Sequence, residues 1–308
     1  MLRALGLGDL LTAVPALRAL RRGHPDHELV LATPAALAPL VDRTGAVDRL
    51  LPASGLDPLA WPYDAPPDLA VNLHGRGPQS HELLRALGPR ELVAFGCEGY
   101  DGPPWRPDEH EVHRWCRLVA PLGLAPDRTD LLLARPDDAP RAGTVVVHPG
   151  AAYPSRRWPA DRFAAVAAAL AADGHRVVVT GGPDEVGLAT GVAAGARLPQ
   201  DAVLAGRTDL AQLAELVASA ALLVCGDTGV AHLATAFATA SVLLFGPVSP
   251  ALWGPAADGP HTVLWHGTGD GDPWGTHVDP ALAAITVPEV LAAARRHLRA
   301  DYQGMPGI

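Results

Sequence analysis

The sequence predicts an α/β protein made of two Rossmann-like domains, each built around a parallel sheet. Three observations predict it. Short β-branched runs alternate with Ala- and Leu-rich segments of helical length, the pattern of parallel strands joined by crossover helices. In the second half these runs are almost wholly apolar and stop at a glycine or proline, as strands buried on both faces do. A polar, proline-bearing stretch without periodicity, "ARPDDAPRAG" (134–143), separates the two halves and reads as a linker.

In chain order, the first half is expected to hold strands near 2–5, 28–32, 68–73 and 91–95, with helices near 10–21, 34–43, 79–87 and 108–120. Its Pro- and Gly-bearing segments 52–67 and 96–107 read as surface loops. Beyond the linker, "TVVVHPG" (144–150), "HRVVVTGG" (175–182), "ALLVCGD" (221–227) and "SVLLFGP" (241–247) read as strands, with helices at 160–172, 185–194, 209–219 and 229–238. A last helix over 288–300 starts with proline in its first turn. The expected domains are 1–138 and 139–286, followed by a C-terminal helical segment, 287–308. Open α/β sheets take ligands at the carboxyl ends of their strands, so two such domains facing one another would enclose one deep cleft.

Composition removes several functions. A net charge of −9 argues against nonspecific binding to nucleic-acid phosphates. There is no lysine, and all 24 basic residues are arginine, which excludes P-loop, kinase and Schiff-base lysines together. No apolar stretch approaches the roughly 20 residues of a membrane span, and Asp9 interrupts the N-terminus before a signal core develops. A cytoplasmic protein with at most peripheral membrane contact is expected. Cys97, Cys116 and Cys225 are odd in number and form no CxxC pair, so neither a disulfide framework nor a zinc knuckle is supported.

The chemistry lies at strand-to-helix junctions. In "LGLGDLLTAVPALRAL" (5–20), Gly6 and Gly8 permit a tight turn and close ligand approach. The stretch is a poor dinucleotide fingerprint because its third glycine is missing and Asp9 stands where a pyrophosphate would lie, although Glu28 follows at about the right spacing. Asp9 alone reads more readily as a helix-capping acid, since caps are common. "HPGAAYPSRRWPADRF" (148–163) places Arg156 and Arg157 on a loop after a strand, where guanidinium forks suit phosphate oxygens but also suit a solvated face. In "TGGPDEVG" (180–187), Gly181 makes the turn, and Glu185 is suited either to ribose hydroxyls or to the dipole of a helix start. In "CGDTGVAHLATA" (225–236), a helix capped by Thr228 would aim the N–H groups of Gly229, Val230 and Ala231 at an anion, with His232 one turn on. The bland reading of His232 is a core histidine. Asp227 fits such a site only if it orients the loop or meets hydroxyls.

Taken in order, these four junctions resemble glycosyltransferase family 9, the ADP-heptose:lipopolysaccharide heptosyltransferases and their relatives. The likeness runs from "LGLGDLLTAVPALRALRRGHPDHELVLAT" through "VVVHPGAAYPSRRWPADRFAAVAAAL" and "VVVTGGPDE" to "LAGRTDLAQLAELVASAALLVCGDTGVAHLATAFATASVLLFGPVSPALWGP". It implies a GT-B fold with the acceptor on the first domain, the nucleotide sugar on the second, and the last helix crossing back to the first. It implies an inverting transfer without metal or other cofactor, in which Asp9 is the general base and Glu185 contacts the ribose. Asp227, Thr228, Gly229, Val230 and His232 then form the donor-binding signature, with Gly181 beside the nucleotide. Arg156 stands where the family usually has lysine, which keeps the charge and adds a bidentate donor. Acceptor contacts are expected from Gly8 and from "NLHGRGPQS" (72–80), with His74 and Arg76. The alternatives are a nucleotide-sugar epimerase of the same architecture and a noncatalytic nucleotide-sugar binder. In 266–280, His266, Asp270, Asp272, His277 and Asp279 lack fixed metal-ligand spacing, so a loop near the donor pocket is expected there. Trp158 and Trp253 are candidates for the base pocket, with packing as the plainer reading.

Overall fold

The structure is a computed structural model that describes residues 1–135, 143–256 and 258–303. The chain divides into two units, Met1–Leu133 and Ala134–Ile308. The stretch expected as a linker lies largely outside the described residues, at 136–142.

In the first unit, β1 (Val30–Thr33) pairs in parallel with β2 (Arg49–Pro52), and β3 (Leu69–Val71) with β4 (Glu91–Val93). Leu2 joins the two pairs by bridging Ala32 on one side and Asn72 on the other, giving the order β2, β1, Leu2, β3, β4. The N-terminal strand is therefore central but shorter than expected. It leads at once into α1 (Leu7–Gly23), where Asp9 sits at the third helical position and its Oδ2 accepts the N–H of Gly6 at 3.2 Å. Arg21 and Arg22 in the last turn complement the helix dipole. The apolar stripe Leu10, Val14, Leu17 and Leu20 is buried, and α1 packs on α4 (Glu111–Val119). The short helices α2 (Ala38–Arg43) and α3 (Gln79–Arg85) complete the unit.

The second unit holds a five-stranded parallel sheet in the order β6 (Arg176–Val179), β5 (Thr144–His148), β7 (Leu222–Gly226), β8 (Ser241–Phe245), β9 (His261–Trp265). A parallel bridge from Val179 to Val203 extends it beyond β6. Every residue of β5, β7 and β8 is buried, which is why these strands read as unbroken apolar runs. The connecting helices are α5 (Ala160–Ala172), α6 (Val186–Gly195), α7 (Leu210–Ser219) and α8 (Gly229–Ala236). α7 starts with a reciprocal cap: Asp209 Oδ1 accepts the Gln212 N–H at 2.8 Å, and Gln212 Oε1 accepts the Asp209 N–H at 3.0 Å. The short α9 (Pro250–Trp253) and α10 (Pro280–Ala284) precede α11 (Val287–Gln303). Val290, Ala293, Ala294 and Leu298 of α11 share a core with β5, β7 and β8, so the C-terminal helix belongs to the second unit in its described packing.

Strand order reverses between β5 and β7, whose ends lie side by side with His148 in register with Cys225. The carboxyl ends at such a reversal leave a crevice flanked by the loops that follow them, and in α/β sheets that is where ligands bind. Here those loops are 149–157 and 227–228.

Candidate active site

At the reversal, a single helical turn, Pro154–Arg156, presents Arg156. Its Nη1 lies 3.7 Å from Asp227 Oδ2, and its Nε donates to the Pro273 carbonyl at 3.2 Å. The guanidinium stays a quarter exposed, whereas Asp227 is buried. Burial pushes the Asp227 carboxyl up to about 6, although Arg156 opposes that rise. Asp227, for which the sequence offered loop orientation or contact with hydroxyls, is the counter-ion of Arg156. The arginine turn is pressed against β7, for a Cβ on Gly226 would lie 3.0 Å from the Arg156 carbonyl. From the other side the segment 266–280 holds the turn, with Ser155 N–H donating to the Gly275 carbonyl and Asp279 N–H to the Ser155 carbonyl. Asp279 also caps α10, its Oδ1 accepting from Ala281 N–H at 2.9 Å. Arg157 turns away and donates to the Ala151 carbonyl at 2.8 Å.

Thr228 occupies the N-cap position of α8 in extended conformation, but its side chain does not accept the first-turn N–H groups, contrary to the expected cap. Gly229 and Val230 open the helix beside Asp227, and His232 meets Trp253 edge to face at 6.0 Å between ring centres. Trp158 is core: it is buried, packs on Phe163, and donates from Nε1 to the Ile285 carbonyl at 3.1 Å.

On the β6 side, Glu185 reaches back so that its Oε2 accepts the Gly182 N–H at 2.8 Å, the capping role that its position allowed. The same oxygen is 4.0 Å from Nε2 of His148, whose Nδ1 lies 3.0 Å from Thr180 Oγ1. Burial lowers the His148 pKa against the opposing pull of Glu185. A Cβ on Gly150 would run into the Glu185 carboxylate, so a larger residue there would push that side chain from its place. Gly181 is tight as well, its Cβ position lying 3.0 Å from Glu185 Cβ and 3.3 Å from Ala205 Cβ. The second unit thus brings Arg156, Asp227, Gly229 and Val230 together at one strand reversal, with Glu185 beside the end of β5.

In the first unit, Asp9 stands at the carboxyl end of the central strand. Arg3, fully buried, donates from Nη2 to Asp9 Oδ1 at 3.3 Å and to Glu111 Oε1 at 3.1 Å, and from Nε to the Asp9 carbonyl at 2.8 Å. Gly8 lies in the first turn of α1. His74 is half-buried; desolvation and the charge of Arg3 lower its pKa, and Asp9 opposes them. Its backbone N–H donates to Asn72 Oδ1 at 2.9 Å. Arg76 is exposed. Arg3, Glu111, His148, Gly150 and Gly226 escaped the sequence reading. An arginine inside the apolar opening "MLRAL" and a histidine ending "TVVVH" were the available signals.

Among the described residues, no group of three or more His, Cys, Asp or Glu side chains is placed to hold a metal ion, and no helix is long and apolar enough to cross a membrane.

A family model for glycosyltransferase family 9 (heptosyltransferase) matches residues 105–268, more than half of the chain. The chain belongs to that family, and it is a heptosyltransferase-like glycosyltransferase. It is 23% identical to lipopolysaccharide heptosyltransferase 3 of Escherichia coli K12, the alignment covering 96% of each chain. The solved structure of the E. coli ADP-heptose LPS heptosyltransferase II superposes with a TM-score of 0.74 at 20% identity, covering 98% of both chains. A dodecameric iron-containing heptosyltransferase, TibC, solved in complex with ADP-D-β-D-heptose, superposes at 0.62 and 15% identity over 97% of this chain and 76% of that one. The α/β architecture with parallel sheets is that of the GT-B heptosyltransferases.

Proposed function

We propose that this chain transfers heptose from ADP-heptose to a hydroxyl of a glycan, lipid-linked or metabolite acceptor, with inversion at the anomeric carbon and without a metal. The second unit takes the donor and the first the acceptor. The observation that carries the reading is Arg156 at the β5–β7 reversal, a quarter exposed and paired with Asp227 just before the amino end of α8. A leaving diphosphate needs positive charge, and a charged hydrogen bond from Arg156 supplies about 1.5–3 kcal/mol against about 0.3–1 kcal/mol from a helix end. Glu185 lies one strand over, at the distance of neighbouring strand ends, where it accepts from ribose hydroxyls.

In the reaction, the acceptor oxygen forms a bond to the anomeric carbon as the bond from that carbon to the phosphate oxygen breaks. The electron pair leaves on the diphosphate, which Arg156 and the α8 N–H groups neutralise, and the acceptor proton passes to the Asp9 carboxylate. Arg156 in place of lysine keeps the charge and presents two donors to the phosphate.

Calorimetric titration of the full chain with ADP-heptose and with UDP-, GDP- and dTDP-sugars tests the donor, and ADP release with and without acceptors tests the transfer. Tight binding of ADP-heptose with acceptor-dependent ADP release supports the proposal. Interconversion of the donor sugar without release of ADP would show an epimerase, and binding with no reaction a sensor.

A further inference from the structure

We propose that Arg3 is a positioning residue for transfer, holding the Asp9 carboxylate in the one orientation from which it takes the acceptor proton; this rests on Asp9 being the base. A guanidinium is rarely taken wholly out of water unless its donors are matched. Arg3 is fully buried, and its donors meet the Leu73 carbonyl, the Asp9 carbonyl, Asp9 Oδ1, Thr12 Oγ1 and Glu111 Oε1. Its planar face lies over the Trp115 ring with Cζ 4.4 Å from the ring centre, which prevents the fork from swinging.

The anchoring continues behind it. Glu111 Oε1 also accepts from Trp115 Nε1 at 2.9 Å, and Glu111 Oε2 pairs with Arg114 Nη1 at 3.4 Å. The charges therefore alternate along Arg114, Glu111, Arg3 and Asp9, from the buried interface of α1 and α4 out to a carboxylate that is 28% exposed. Only the last member of this chain is more than slightly exposed and thus open to a substrate.

Asp9 is held at both oxygens, Oδ1 by Arg3 and Oδ2 by the Gly6 N–H. A carboxylate anchored twice cannot rotate, yet each oxygen retains a lone pair for the incoming hydroxyl. Fixing a base to within tenths of an ångström converts a search into a ready geometry, and misplacement by about 1 Å lowers turnover on the order of 100-fold. Stability alone does not account for the arrangement, since a buried ion pair is often no more stabilising than apolar groups of the same volume.

The test is a double-mutant cycle read by ADP release from ADP-heptose, with a glycan acceptor that raises that release in the wild type and with water as a second acceptor. Arg3→Gln is expected to lower kcat about 10- to 100-fold with the donor KM within 2-fold, and Arg3→Lys, which keeps the charge, to recover part of the loss. In an Asp9→Asn background the same Arg3→Gln change should cost less than about 2-fold, because a residue acting through Asp9 has nothing left to position. Equal losses in both backgrounds would overturn the positioning role while leaving Asp9 as base. Wild-type turnover by Asp9→Asn would instead remove the base reading on which it rests. Thermal stabilisation of each variant by ADP establishes that it is folded. A crystal structure of Arg3→Gln gives a readout independent of turnover: a turned Asp9 carboxylate supports the role, and an unmoved one refutes it.

Discussion

Replacing Asp227 with asparagine should make the protein more stable at neutral pH, although the change removes the partner of Arg156. Asp227 titrates near 6 in the folded protein, against about 3.9 in an unfolded chain. A gap of about 2 units at about 1.4 kcal/mol per unit means that keeping this carboxylate ionised and buried costs about 3 kcal/mol above pH 6. Because the folded-state value lies above the unfolded one, the folded state holds the proton more tightly. Its contribution is therefore most favourable below about pH 4, declines as pH rises from 4 to 6, and is fully unfavourable at pH 7. The amide is close to isosteric and does not ionise. The attraction of Arg156 is already contained in that folded-state value, because it opposes the rise, so losing the pair adds no separate cost. The net gain at pH 7 is about 3 kcal/mol, or roughly 6–12 °C in melting temperature for a unit of this size. Melting curves of both proteins from pH 4 to pH 8 provide the assay. The difference should vanish near pH 4 and open between 4 and 6; a difference independent of pH, or a wild type that melts higher at pH 7, would refute the reasoning.

The same pair couples binding to protons. A diphosphate drawn to Arg156 adds negative charge beside Asp227, so ADP binding at pH 7 should take up a fraction of a proton, seen as a buffer-dependent calorimetric enthalpy, and Asp227→Asn should abolish the uptake. Arg156→Ala should weaken ADP binding about 10- to 100-fold by titration, the equivalent of about 1.5–3 kcal/mol for a charged hydrogen bond; an unchanged Kd would make this loop plain surface. Gly150→Ala should force Glu185 off the Gly182 N–H and weaken ADP-heptose binding about 5-fold, a hydrogen bond's worth of about 1 kcal/mol, while unfolding stays cooperative.

The central strands of the second unit were legible because burial on both faces turns β5, β7 and β8 into continuous apolar runs. Two edge strands, β2 and β9, were not, whereas β4 and β6 were. β2 is the partly exposed "RLLP", carrying an arginine and a proline, and β9 is the half-buried "HTVLW", so neither shows a clear period. The residues around the strand reversal could be read because turn glycines, Arg156 and Asp227 are each close in sequence to the strand end that places them. What surrounds them could not, because the partners are remote: Arg3 meets Glu111 across 108 positions, and Arg156 meets Pro273 across 117. Thr228 shows the converse limit, since a favourable cap residue at the right place leaves its side chain out of the cap.

The central claim is tested most directly by ADP release from ADP-heptose, with an acceptor, in EDTA-treated wild type and in Asp9→Asn. Wild type should turn over equally with and without the chelator, while Asp9→Asn should bind ADP as wild type does and lose about 10²- to 10⁴-fold in kcat, the contribution of a general base. Turnover that EDTA abolishes and iron restores, or an Asp9→Asn variant as fast as wild type, would contradict it.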